Sequence, residues 1–181
     1  DVATALAIYT SEHNSETWRD KFITFSRKPK FVDLSGCESL RDKLKVCEAE
    51  DECSNTDIEA TMMLILRTAI NNALLQEELP ANVLIISDMQ FDTGRALSMY
   101  SGFNWDATLF EQIAKEYEKY GYKLPKLIFW NVSDRNANTI PMQANELGLI
   151  LCSGFAVTTL KMLMSGEVDP YKVLLEQINA K

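Results

Sequence analysis

One histidine in 181 residues leaves little material for imidazole chemistry. His13 sits among Ser11, Glu12, Asn14 and Ser15, at an expected helix end, and reads as a surface residue. Histidine-based zinc sites and Ser-His-Asp triads are disfavoured on that count. The four cysteines, Cys37, Cys47, Cys53 and Cys152, form no Cys-x-x-Cys pair and match no zinc spacing. Cys152 falls in an apolar run and reads as a small core residue. The other three share a loop-rich region where a disulfide stays open. Reduced thiols in a cytoplasmic compartment are the expectation, because Asp1-Val2-Ala3-Thr4 lacks the basic start of an export signal. No apolar run reaches the roughly 18 residues of a membrane span. Internal repeats, low-complexity tracts and linkers are also missing.

What is present fits one globular domain. Hydrophobic residues make up 46% and charged residues 24%, an ordinary balance for a soluble fold. A chain of this length buries about 70% of its unfolded surface, enough for its own core. The 26 acidic against 18 basic residues leave a net charge of −8, a poor match to a nucleic acid backbone.

The apolar pattern alternates between helical and extended stretches. Val2, Ala5, Leu6 and Tyr9 predict an amphipathic helix over residues 1–12. Lys21 to Ser26 and Phe31 to Leu34 read as strands, and the short Arg27-Lys28-Pro29 link makes them antiparallel. Ser39 is placed to cap a short helix carrying Leu40, Leu44 and Cys47. An acidic stretch from Glu48 to Asp57 leads into a long helix with Ile58, Met62, Ile65, Ala69 and Ala73 on one face, closed by Glu77-Glu78-Leu79-Pro80. Val83-Leu84-Ile85-Ile86 and Leu127-Ile128-Phe129-Trp130 are continuous apolar strands, as is Leu147 to Cys152, a pattern of strands covered on both faces. Between them Thr108 and Glu111 suggest a capping box, and Gly121 a helix end. Residues 93–105 and Asn131 to Asn138 read as loops. Beyond Phe155, Leu160, Leu163 and Met164 suggest a short helix, and Asp169-Pro170 opens a last one. Strands alternating with helices predict an α/β fold with a mostly parallel sheet.

In such sheets ligands bind beyond the carboxyl ends of the strands. The polar groups there are Ser26, Ser87-Asp88, Asn131 and Ser153-Gly154. Asp88 directly follows an apolar strand, which sets a carboxylate at the sheet rim; a turn former or helix cap is the alternative. Thr56, ahead of the long helix, is either an N-cap or a hydroxyl ligand for a hard cation such as Mg²⁺. Asp57 adds a carboxylate beside it.

Five stretches in chain order carry a family likeness: Phe22-Ile23-Thr24-Phe25-Ser26, Ser54-Asn55-Thr56-Asp57, Ile86-Ser87-Asp88-Met89-Gln90-Phe91-Asp92, Pro125 to Asn131, and Leu149 to Phe155. Together they resemble the von Willebrand factor A (vWA) domain, and most of all the vWA-like C-terminal region of an uncharacterised family found in bacteria, plants and large viruses. The resemblance implies a Rossmann-like, doubly wound, mostly parallel sheet with one antiparallel edge strand, Phe31 to Leu34. It also implies a metal-ion-dependent adhesion site for Mg²⁺ or Mn²⁺, with Thr56 and Asp88 matching two of its three ligand loops. The third, Asp-x-Ser-x-Ser after the first strand, has no match in the chain. The expectation is a single vWA-like domain over residues 1–181 whose first strand and Asp-x-Ser-x-Ser loop lie upstream of Asp1.

The function expected from this is an interaction module, not an enzyme, that holds a protein partner's carboxylate through a Mg²⁺-type ion at Thr56, Asp57 and Asp88. A metal-free scaffold of the same fold is the alternative. A PIN-like nuclease using Asp57, Asp88, Asp92 and Asp106 is the weaker third, since two-metal hydrolysis needs several converging carboxylates.

Overall fold

A computed structural model describes residues 2–24, 26, 28–50, 57–87, 107–131, 142–144 and 149–153. The elements are α1 (Val2–Glu12), β1 (Lys21–Ile23), β2 (Phe31–Asp33), α2 (Leu40–Ala49), α3 (Ile58–Asn71), β3 (Asn82–Ser87), α4 (Ala107–Lys119), β4 (Lys126–Asn131), β5 (Met142–Ala144) and β6 (Leu149–Ser153). The fold is mixed α/β. Its elements fall into two compact units, one with α1, β1, β2, α2, α3 and α4, the other with β3, β4, β5 and β6.

In the first unit β1 and β2 pair antiparallel, with Phe22 opposite Val32, as the short link between them requires. The pair is shorter than the expected Lys21–Ser26 strand, and Thr24 explains why. Its N–H still donates to the Lys30 carbonyl at 3.0 Å, but the Lys30 N–H turns to the Thr24 hydroxyl at 3.1 Å. A side chain has replaced the backbone acceptor, and the ladder stops. In the described residues this pair forms a two-stranded sheet of its own. Val32 and Leu34 form a small core with Ile8, and Phe22, Leu44, Val46, Cys37 and Cys47 pack against it. Cys37 and Cys47 are free thiols.

α1 turns a different side inward than its spacing suggested. Leu6, Ile8 and Ser11 are buried, while Val2, Ala5 and Tyr9 are exposed. The run Val2–Ile8 is apolar nearly all round, so periodicity alone could not select the buried side. His13 is a surface residue, as expected, stacked on Tyr9 and with Nδ1 2.7 Å from the Tyr9 carbonyl at the helix end. Ser39 caps α2, accepting from the Asp42 N–H, but Leu40 is exposed rather than on the packed side. Lys43 of α2 reaches Glu12 at 2.8 Å and Asp20 at 3.1 Å, pinning the end of α1 and the turn before β1.

α3 buries Thr61, Met62, Ile65, Leu66 and Ala69. It stops at Asn71, short of the expected Glu77-Glu78-Leu79-Pro80. Ala73 adopts φ +50°, its N–H bonds the Ile70 carbonyl at 3.1 Å, and the Leu74 N–H bonds the Ala69 carbonyl at 3.0 Å. That pair of bonds is a Schellman stop, which needs one left-handed residue, usually glycine. The expected Ala73 contact on the helix face is therefore replaced by a turn. A short 3₁₀ turn, Gln76–Glu78, follows, and its Glu78 carbonyl accepts from the Trp18 indole at 2.7 Å.

α4 ends by the same device, with Gly121 at φ +79°, its N–H on the Glu118 carbonyl and the Tyr122 N–H on that of Tyr117. Its start differs from the expected capping box. α4 begins at Ala107, so Thr108 is already helical and cannot be the N-cap, whose backbone is non-helical. Phe110, Ile113 and Tyr117 are buried, and the Tyr117 hydroxyl donates to the Met62 carbonyl of α3 at 2.7 Å.

The second unit is a four-stranded sheet in the order β3-β4-β6-β5. β3, β4 and β6 are parallel. β5, which fell where no strand was expected, is antiparallel to β6 and forms one edge. Leu127, Ile128, Phe129 and Trp130 of β4 are all buried. Successive strand residues face opposite sides, so both faces of β4 are covered, as its unbroken apolar run predicted. Among the described residues no helix is long and apolar enough to cross a membrane. The expected helices beyond Phe155 lie outside the described residues.

Candidate functional site

The carboxyl ends of the three parallel strands align. Ser87 of β3 pairs with Asn131 of β4, and Asn131 pairs with Ser153 of β6. Three polar residues thus form a row at one edge of the sheet, each ending an apolar strand. Asp88 is the next residue after Ser87 in the chain. It lies outside the described residues, as do Thr56, Asp92 and Asp106.

Asp57 is described, and its local role is clear. It has extended backbone angles immediately before α3, and its Oδ1 accepts the Ala60 N–H at 2.8 Å. The first N–H groups of a helix have no partner within it, and a short carboxylate at the N-cap satisfies one while facing the positive end of the dipole. The Asp57 carbonyl accepts twice more, from the Thr61 N–H at 3.1 Å and the Thr61 hydroxyl at 2.9 Å. The capping role considered for Thr56 is therefore filled by its neighbour. Asp57 remains exposed.

Ser26 adjoins this entry into α3. The Asp57 N–H donates to the Ser26 carbonyl at 3.3 Å. Ser26 is 1% exposed, and its buried hydroxyl has no hydrogen-bond partner among the described residues. A buried hydroxyl left unpaired costs about 1–3 kcal/mol, so nearly all such groups in folded proteins have partners. Other buried hydroxyls among the described residues do: Ser11 donates to the Ile8 carbonyl at 2.7 Å, and the Thr24 hydroxyl accepts from the Lys30 N–H at 3.1 Å. Sequence reasoning had named Ser26 only as a polar strand end; its unpaired burial follows from tertiary packing and has no sequence signal.

Serine and threonine hydroxyls and carboxylates are hard oxygen ligands, the set that suits Mg²⁺. The Ser26 and Asp57 side chains supply oxygens of that kind, and the bond that joins the two residues is between their backbones. Among the described residues no group of three or more His, Cys, Asp or Glu is arranged to hold a metal. The expected ligand set includes only one described member, Asp57.

Comparison with known proteins places the whole chain in one family. Residues 1–179 match the family model described as a domain of unknown function (DUF7788). The chain is also similar to uncharacterized protein L728 of Acanthamoeba polyphaga mimivirus, with 30% identity over 175 residues. That alignment covers 96% of this chain and 29% of the viral protein, so the chain spans less than a third of that relative's length. No solved structure matches. An α/β chain with a parallel sheet whose polar strand ends align, matched from residue 1 to residue 179, belongs to the DUF7788 family.

Proposed function

We propose that this domain is a vWA-like interaction module that binds a protein partner through a Mg²⁺-type ion held by Thr56, Asp57 and Asp88. The observation that carries the proposal is the aligned row Ser87, Asn131 and Ser153 at the carboxyl edge of three parallel strands, with Asp88 next in sequence. Open parallel sheets bind ligands beyond that edge. The ion, when bound, supplies a hard positive centre able to take a carboxylate from the partner. The chain's own oxygens hold it: a hydroxyl from Thr56 and carboxylates from Asp57 and Asp88. The vWA likeness, with its single doubly wound sheet, is part of the same proposal. A cytoplasmic, non-enzymatic role accompanies it, and the net charge of −8 argues against direct gripping of nucleic acid.

One observation favours the metal-free scaffold. Asp57 already has a structural task at the α3 N-cap, so its carboxylate is accounted for without a metal. Thermal melts of the full-length protein in a Mg²⁺ or Mn²⁺ series separate the two. A ligand that binds only the folded state raises the melting temperature by mass action. The adhesion-site proposal expects a rise that Asp88→Ala abolishes. No rise in the wild type leaves the scaffold, and metal-dependent cleavage of RNA or DNA, lost in Asp57→Ala and Asp88→Ala, would instead establish a nuclease.

A further inference from the structure

We infer that Cys37 and Cys47 are a redox pair: under oxidising conditions they join in a disulfide that clips α2 to the turn after β2. Both are free thiols, and both are half-buried, which leaves them open to a small oxidant. They come from different elements but pack on the same three side chains, Ile8, Val32 and Leu34. The Cys37 N–H donates to the Leu34 carbonyl at 3.0 Å, which turns the chain after β2 back over that cluster. Cys47 reaches the cluster from the last turn of α2, together with Leu44 one turn earlier. The thiols also act on each other: burial is the main cause that raises the Cys47 pKa, and Cys37 adds to it.

A bridge needs the two Cα atoms within about 7 Å. The turn that carries Cys37 has room to supply the approach. Ser35, Gly36, Glu38 and Ser39 are exposed, and nothing lies within 4 Å of where a side chain at Gly36 would begin. α2 is the element that gains. It buries none of its residues fully, and its ties beyond that half-buried packing are the ion pairs of Lys43 with Glu12 and Asp20 and of Lys30 with Glu50. A covalent link restrains a helix held this lightly by limiting the ways it can open.

The oxidant class is a low-molecular-weight disulfide such as oxidised glutathione. The Cys37 thiolate, on the exposed turn, attacks one of its sulfurs; the S–S bond breaks and one glutathione thiol leaves. Cys47 then gives its proton to solvent and attacks the Cys37 sulfur, releasing the second glutathione thiol. Two protein thiols are oxidised and one glutathione disulfide is reduced. In a reducing compartment the same steps run backwards and the pair stays open.

The test treats the native full-length protein with oxidised glutathione and maps its disulfides by mass spectrometry after acid quenching. The expected product is a Cys37–Cys47 linked peptide that dithiothreitol removes. Trypsin cleavage of the native protein after Arg41 and Lys45, both exposed on α2, should slow by at least about tenfold on oxidation, since cleavage follows the opened population of the helix. Cys37→Ser should abolish both the link and the protection. Stable glutathione adducts on Cys37 and Cys47 without a link, or Cys47 joined to Cys53 instead, overturn the pairing. A Cys37–Cys47 link that leaves tryptic cleavage of α2 unchanged overturns the clip.

Discussion

Single residues already separate capping from metal binding at Asp57. Its Oδ1 satisfies the Ala60 N–H, so Asp57→Ala should lower stability by about 1 kcal/mol in urea melts. Asn also caps well, so Asp57→Asn should keep most of that stability in EDTA. If the carboxylate also binds an ion, the same Asn variant loses part of the Mg²⁺-dependent rise. Ala73 offers the opposite sign. It is exposed and held at φ +50°, a region that costs a residue with a Cβ roughly 1–2 kcal/mol. Glycine adopts it freely but also loosens the unfolded chain, so Ala73→Gly should stabilise by about 0.5–1 kcal/mol net, read from the urea midpoint. Tyr117 carries a pH dependence. Burial raises its phenol well above the ordinary value near 10, so the unfolded chain gives up this proton first. The stability is complete below pH about 10 and is lost as pH climbs toward the folded-state value. Tyr117→Phe should flatten that alkaline loss while costing about 1 kcal/mol at neutral pH for the bond to Met62. At Cys47, burial pushes the thiol up, which keeps it protonated and slow to alkylate.

Among the elements, α3 and α4 show how a boundary is set by one backbone position. Both end in the same pair of reversed hydrogen bonds, but Gly121 supplies the left-handed turn in one and Ala73 in the other. Gly121 was visible in the sequence as a helix end, because glycine is the residue that adopts this conformation without strain. Ala73 was not, because alanine is the best helix former and gives no sign of stopping. The joint between α1 and α2 depends on one ammonium. Lys43 is mostly enclosed and holds Glu12 and Asp20, and the Glu12 bond is the main reason its pKa is raised. Lys43→Met should destabilise by about 1 kcal/mol, with part of the effect removed by high salt, since two carboxylates lose a shared partner. β5 shows the converse problem. Three residues, Met142–Ala144, make an edge strand only by pairing with β6, and so short a stretch carries no extended signature of its own.

For the whole molecule, buried apolar residues occur in each of the two units. The sheet unit buries Leu127, Ile128, Phe129 and Trp130 in succession along β4. Phe129→Ala should therefore cost about 3–5 kcal/mol, measured by denaturant unfolding, because its cavity opens beneath a strand covered on both faces. In the other unit the cluster of Ile8, Val32 and Leu34 is smaller, and substitutions there test whether the two units unfold together. Coincident fluorescence and circular dichroism transitions in wild type and in Leu34→Ala would mark one cooperative fold; separated transitions would mark two.

The order of apolar runs and polar breaks by itself determined the α/β class, the three parallel strands and the antiparallel β1–β2 pair. These follow from periodicity and short links, which are local properties of the chain. It also pointed to Ser87, Asn131 and Ser153 as strand ends, because each follows a run of apolar residues. Only the tertiary structure decided that those three ends align, that α1 turns Ile8 rather than Tyr9 inward, and that Ser26 is buried with no partner for its hydroxyl among the described residues. Each of these depends on which distant segment lies alongside, and nothing in the spacing of a residue's neighbours encodes that.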